Sequence, residues 1–451
     1  MNRMVRRIKQ SVPEGVFNAT VSALSHEGRG IARLDGKTTF IPFTLVGEEV
    51  EFKYSLCKSN YDEATLVRVI KSSDERVAPP CQYFEICGGC SFQHVSTDAQ
   101  VEFKQQTLLN HFKHFGHGLI PMKLIPPLRT STHEGYRTKA RLGVRYVHKK
   151  SKVLVGFRER DGRFLAEIDS CKVLHPSVGL DLTELQALVS SLSIYKEIPQ
   201  IEVAVDDQVT ALIIRHLVEF NADDLEKLTA FARQKCFWIY LQPKGPDTIR
   251  RLHPGTGEIP QMLSYQLTDY GVTIYFEPND FTQVNYDMNR KMLKQAMALM
   301  AVDKHDVVLD LFCGLGNFSL PLATQARHVV GIEGDVAMTK RAVINAKKNN
   351  IDNVEFYPVN LFEDISAHAW LLHNQFNKLL LDPPRAGAEM VCRQIEKINP
   401  ERIVYVSCDP ATLARDAGIL VNEKGYKFLS AGIMDMFPHT THVESMAVFE
   451  K

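Results

Sequence analysis

Between Val16 and Ile70 apolar and polar residues alternate in short runs: Val16–Leu24, Gly30–Leu34, Thr38–Ile41, Glu48–Tyr54 and Ala64–Ile70. A period of two marks strands buried on one face. Glu27-Gly-Arg-Gly30 and Asp35-Gly36 supply turns between them. Five short strands so closely spaced predict a small β-barrel of the oligonucleotide-binding kind. Over 98–116 the period becomes helical, with Val101, Phe103, Leu108, Leu109 and Phe112 on the apolar side and Thr97-Asp98 as the cap. Pro121, Pro126 and Pro127 mark a linker. From Tyr136 to about Gln261 strands and helices mix, with helices predicted at Val178–Ser190 and Ala222–Cys236. Sheet is predicted at 202–205, 209–215 and 237–241.

Beyond Tyr275 the pattern changes again. Phe276-Glu-Pro-Asn-Asp-Phe281-Thr-Gln283-Val-Asn285 leads into a helix over 286–300, and strands and helices then alternate. Strands are predicted at 307–311, 328–332, 354–358, 378–381 and 402–407, and a last pair at 428–434 and 445–449. Repeated strand–helix units imply an α/β class: a Rossmann-like, mostly parallel, doubly wound sheet. The chain therefore divides into a barrel (1–72), a central α+β domain (73–265) and a doubly wound domain (266–451).

Composition changes little: 45% apolar and 24% charged residues are ordinary for a globular protein. No apolar run approaches the roughly 20 residues of a membrane span. The start, Met1–Lys9, is basic without the apolar segment of a secretory signal. A cytoplasmic location with no membrane partner follows. Net charge is zero, but between Arg129 and Lys172 twelve Lys/Arg face five acids, a surplus of seven. Alternation such as Lys139-Ala-Arg141-Leu-Gly-Val-Arg145 puts the bases on one face of a strand, so a polyanion surface and a merely solvated sheet are about equally supported.

Nine cysteines in an uneven set, without a secretory signal, argue against a disulfide framework. Cys81, Cys87 and Cys90 form a C-x5-C-x2-C run with Gly88-Gly89, and Cys171 is the next cysteine. Packing does not explain three thiols so close. Four thiolates suit zinc or an iron–sulfur cluster, and spacing alone leaves both open.

The turn Gly314-Leu-Gly316 follows a strand and opens a helix, as nucleoside-binding loops do, but lacks the third glycine of the dinucleotide fingerprint. Glu333, ending the next strand, could accept ribose hydroxyls of NAD or of S-adenosylmethionine. Cys408 follows a buried strand, at the end where open α/β sheets bind ligands. Alone it would be a small core hydrophobe. With Asp382-Pro-Pro ending the neighbouring strand it becomes a candidate nucleophile. Methyl transfer to carbon 5 of uracil needs a thiolate at carbon 6 and a base to remove the carbon 5 proton, and Glu444 lies just before the last strand.

DLFCGLGNF, DPPRAG, IVYVSCDPATLARD and FPHTTHVESM resemble the motifs of the uracil-5 RNA methyltransferases. With a barrel that looks like a TRAM domain, the likeness covers nearly the whole chain and is greatest to the bacterial 23S ribosomal RNA subgroup. It implies Cys408 as nucleophile and Glu444 as base. It implies S-adenosylmethionine contacts at Gln283, Phe312, Asn317, Glu333, Asn360 and Asp382, and a [4Fe-4S] cluster on Cys81, Cys87, Cys90 and Cys171. It also implies a monomer acting on 23S ribosomal RNA, free or in a precursor particle. Asp409 departs from the Asn frequent in relatives, and Cys313 reads as packing. The alternatives are a transfer RNA uracil-5 methyltransferase, an amino-group methyltransferase (disfavoured because Arg385 replaces the aromatic residue and Cys408 would be idle) and a non-catalytic RNA-binding assembly factor.

Overall fold

Asp35 and Gly36 both take positive φ (50° and 80°) and close a hairpin between Gly30–Leu34 and Lys37–Ile41, the backbone that the Asp-Gly pair favours. The structure, a computed structural model, describes residues 12–252 and 262–451; the basic leader over 1–9 lies outside them. By internal contacts the chain forms two units. One comprises the chain up to Phe84 with Cys90–Phe103 and Pro438–Thr441, and the other the remainder.

In the first unit six strands form one sheet, in the order Phe17–Thr20, Glu49–Cys57, Tyr61–Lys71, Lys37–Ile41, Gly30–Leu34, Ala23–Leu24. The expected single run Val16–Leu24 is two strands. Val21 donates to the Glu48 carbonyl and Ser22 to that of Ile31, so the chain changes partners at a corner. Its halves pair at the two ends of the strand order, curling the sheet around Val21, Ala32, Ile41, Val50, Phe52 and Ala64.

In the second unit a six-stranded sheet runs Arg250–Arg251, Phe237–Gln242, Thr210–Arg215, Gln200–Val205, Lys139–Val147, Lys152–Gly156. Helix Ala222–Lys235 joins its one parallel pair. The other predicted helix is two: a short one over Pro176–Gly179, capped by the His175 side chain, and Thr183–Ser191 after a break at which the Asp181 carboxylate takes the Thr183 amide.

An eight-stranded sheet has the order Val354–Pro358, His328–Glu333, Val307–Leu311, Lys378–Leu381, Arg402–Ser407, Glu444–Glu450, Lys427–Met434, Lys123–Leu124. The first five are parallel, and Glu444–Glu450 runs antiparallel to both its neighbours. Val307–Leu311 is buried throughout, as expected of a strand covered on both faces. Helix Thr97–His114 starts where predicted, but its cap is Ser96, whose hydroxyl accepts the Ala99 amide at 3.3 Å.

Candidate active site

Cys408 lies one residue past the strand Arg402–Ser407. The Ser407 hydroxyl accepts the Asp409 amide (3.1 Å) and donates to the Asp409 carbonyl (2.9 Å). The Asp409 carboxylate caps the next helix, taking the Ala411 and Thr412 amides at 2.9 and 3.1 Å, and Pro410 fills the first helical turn. Asp409 thus serves the turn as Asn would. Ser407 pairs with Ser445 as the last rung of the antiparallel ladder, so Cys408 and Glu444 each adjoin that rung at the same end of the two strands. Glu444 is buried, 9% exposed, and Cys408 half-buried.

Electrostatics follow from that burial. Desolvation, then the Glu444 and Asp382 charges, push the Cys408 thiol up to about 12, against the pull of Arg385. Desolvation and Asp382 hold Glu444 well above the usual carboxylate range, with Arg385 and Lys104 opposing. Burial raises Asp382 to about 7. Burial and the neighbouring acids therefore disfavour the charged forms of both Cys408 and Glu444 in the free protein. A cation entering the site would favour their ionised forms.

Among the residues expected to contact a cofactor, Phe312, Glu333, Asn360 and Asp382 lie at or just past the ends of the parallel strands. Gly314 and Gly316 have φ of 56° and 89°, which glycine takes without strain. Phe312 also lies at positive φ (66°), uncommon for a bulky residue, and its ring meets Phe362 at 6.0 Å. Glu333 accepts the Gly314 amide at 3.0 Å and the Asp335 amide at 2.9 Å, so its carboxylate is fixed beside the loop. The Asn317 side chain is bracketed by the Tyr265 hydroxyl (2.9 Å) and a two-way bond to Asn289. Asn360 is exposed and accepts the Phe362 amide. Gln283 is half-buried on the loop where Asp280 pairs with Arg341 and the Lys139 ammonium donates to the Asp280 carbonyl.

The four expected metal ligands are each half-buried. The Cys81 amide donates to Gln93 at 3.1 Å, and the Cys171 amide to the Gly179 carbonyl at 2.7 Å. The Gly89 amide donates to the Cys87 sulfur at 3.4 Å, the kind of bond that tunes a ligating thiolate. Among the described residues no group of three or more His, Cys, Asp or Glu side chains stands in an arrangement that could hold a metal ion.

A family profile described as tRNA (Uracil-5-)-methyltransferase matches residues 97–451, and that of the TRAM domain matches 15–67. The chain belongs to the uracil-5 RNA methyltransferase family. It is an S-adenosylmethionine-dependent enzyme acting at uracil carbon 5. A Francisella tularensis subsp. novicida protein, 60% identical over 445 residues and 99% of each chain, is named 23S rRNA (uracil(1939)-C(5))-methyltransferase RlmD. Proteins of the same name from Hahella chejuensis and Legionella pneumophila (strain Lens) are 51% identical over 450 residues and 48% over 448, covering 99% or more of each chain. The crystal structure of Pyrococcus abyssi tRNA (uracil-54, C5)-methyltransferase with S-adenosyl-L-homocysteine covers 96% of this chain and 100% of that one, with TM-score 0.72 and 23% identity, which shows the methyltransferase fold.

Within this family member, sequence reasoning passed over three groups. Asp310 is fully buried and raised to about 8, first by desolvation, with Asp382 and Glu333 adding to it. It sits inside the motif DLFCGLGNF, so a signal existed. Arg385 opposes the shifts of both Cys408 and Glu444 and follows Asp382-Pro-Pro. Lys104 left no local signal, because its partner Asp435 is 331 positions away.

Proposed function

We propose that this chain methylates carbon 5 of a uridine in 23S ribosomal RNA. The observation that carries the reading is that Cys408 and Glu444 adjoin the last rung joining their strands, Ser407–Ser445, with the charges of Glu444 and Asp382 both acting on the Cys408 thiol. The Cys408 thiolate adds to carbon 6, and the electron pair of the ring double bond moves to form an enolate at the carbon 4 oxygen. Bound S-adenosylmethionine supplies an electrophilic methyl group that carbon 5 takes up. The Glu444 carboxylate then removes the carbon 5 proton, and the enolate expels the Cys408 sulfur as the double bond re-forms. Gln283, Phe312, Asn317, Glu333, Asn360 and Asp382 are the residues proposed to hold the donor, with Glu333 facing the ribose. Choice of 23S RNA is supported by full-length relatives of that name. Mapping 5-methyluridine in ribosomal and transfer RNA from cells with and without the protein tests it. Loss of one modified site in 23S RNA is expected; loss confined to transfer RNA would reassign the substrate.

We further infer a [4Fe-4S] cluster on Cys81, Cys87, Cys90 and Cys171, with a structural role. The C-x5-C-x2-C spacing with Cys171 in the sequence, and the amide aimed at the Cys87 sulfur, support it. Iron and sulfide analysis of anaerobically purified protein tests it; zinc in their place would change the metal and leave the chemistry at Cys408 as it is. RNA binding by the barrel (1–72), a central domain (73–265) bearing the cysteines and basic face, catalysis by 266–451, a monomeric state and a cytoplasmic location complete the reading.

A further inference from the structure

Lys104, on helix Thr97–His114, is fully buried, at 0% exposure. Its ammonium donates to Asp435 Oδ1 at 2.6 Å and to the Phe437 carbonyl at 2.9 Å. Asp435 directly follows the strand Lys427–Met434, and its amide is bound by the Leu128 carbonyl. Met434 pairs with Glu444, so Asp435 and Phe437 open the loop that returns as Glu444. A buried lysine is costly to desolvate, and an apolar side chain could fill the same space. Packing alone therefore does not account for a charge at this point.

We infer that Lys104 is a positioning residue for the deprotonation step, holding through Asp435 and the Phe437 carbonyl the mouth of the hairpin that presents Glu444. The inference rests on Glu444 being the base. Its charge also bears on the carboxyl it positions. Around Glu444 stand Asp382 and Arg385 from one loop, Cys408 from the neighbouring strand end and Lys104 from the helix; Asp435 faces Lys104, and His442 feels Arg385, Lys104 and Arg137. Burial and Asp382 raise Glu444, while Arg385 and Lys104 oppose them and favour the form that accepts a proton. Arg385 is exposed, so Lys104 is the cation here that solvent screens least.

The test uses the full-length enzyme with Lys104→Met, Lys104→Arg and the double variant Lys104→Met/Asp435→Asn, which leaves no buried acid unpaired if the single variant folds poorly. The methyl group should still reach carbon 5 in a single turnover, while release of the covalent RNA adduct slows by about tenfold, the equivalent of roughly one pKa unit. The pH at which release becomes fast should move upward in Lys104→Met and the double variant and return toward normal in Lys104→Arg, with KM for RNA and donor unchanged. An unmoved pH profile, or equal loss of donor binding and adduct formation, overturns the inference. If Glu444→Gln accumulates adduct while Lys104→Met releases normally, the Lys104 role alone fails. If Glu444→Gln accumulates none, Glu444 is not the base and the Lys104 role falls with it.

Discussion

The Ser319 hydroxyl donates to Asp310 at 2.5 Å, leaving the other Asp310 oxygen buried without a protein partner, at the head of the cofactor loop. Asp310 is pushed up to about 8, and Asp382, one residue past the end of the neighbouring strand, to about 7. At neutral pH Asp310 is therefore mostly protonated and Asp382 about half so in the free protein, and a cationic donor favours loss of both protons. Affinity for S-adenosylmethionine should therefore rise between about pH 6 and 8, by at most about tenfold per pH unit for each proton released. S-adenosylhomocysteine, lacking the sulfonium charge, should show a shallower slope. Titration calorimetry across that range checks this, and equal slopes for the two ligands would count against it.

The same carboxyls set the sign of a stability effect. A raised folded-state value means the folded chain holds protons that the unfolded chain has lost. Stability of the free protein should thus fall as pH rises from about 4, the unfolded aspartate value, toward the folded Asp310 value of about 8. Asp310→Asn should flatten that fall and weaken donor binding. Melting curves without ligand at acid and alkaline pH decide it.

Cys408 is a thiol, pushed up to about 12, until something enters the site. Alkylation by iodoacetamide should therefore be slow at neutral pH in the free enzyme, because the thiolate is the reactive form. Adding the sulfonium donor should speed it more than adding the neutral product does, and Arg385→Gln should slow it. Mass spectrometry of the peptide carrying Cys408 reads the rate; fast alkylation of the free enzyme at neutral pH would be the contrary result.

Asp416 ties the loop after Asp382 to the helix after Cys408. It accepts the Ala388 amide and the Tyr405 hydroxyl, each at 2.7 Å, and pairs with Arg415. Gly387 (φ 77°) lets the loop pass, since a Cβ there would come within 2.7 Å of the Asp416 carboxylate. Asp416→Ala should cost about 1–3 kcal/mol for each donor left buried, lowering the melting temperature by about 2–4 °C per kcal/mol. KM for the donor should rise with it, as Asp382 loses its support. Denaturation and kinetics on one preparation check both parts.

Much of this was legible in the sequence. The apolar run ending at Cys408 could only be a buried strand, and the order of glycine loop, Glu333 and Asp382 fixed which strand ends converge. Asp35-Gly36 fixed its hairpin because so few residues tolerate positive φ in succession. What escaped needed three dimensions. The corner at Val21 follows from partners at opposite ends of the sheet, and the Ser96 cap from which hydroxyl reaches the Ala99 amide. Glu444, expected just ahead of the last strand, is that strand's buried first residue, and only family likeness singled it out as a base. Lys104 was invisible because its meaning lies in a partner 331 positions on.

The most direct measurement is the fate of RNA on the Glu444→Gln enzyme supplied with donor. The account predicts a methylated RNA–protein adduct that survives denaturation, joined through Cys408 and absent when Cys408 is alanine. Free methylated RNA released at the normal rate would contradict it.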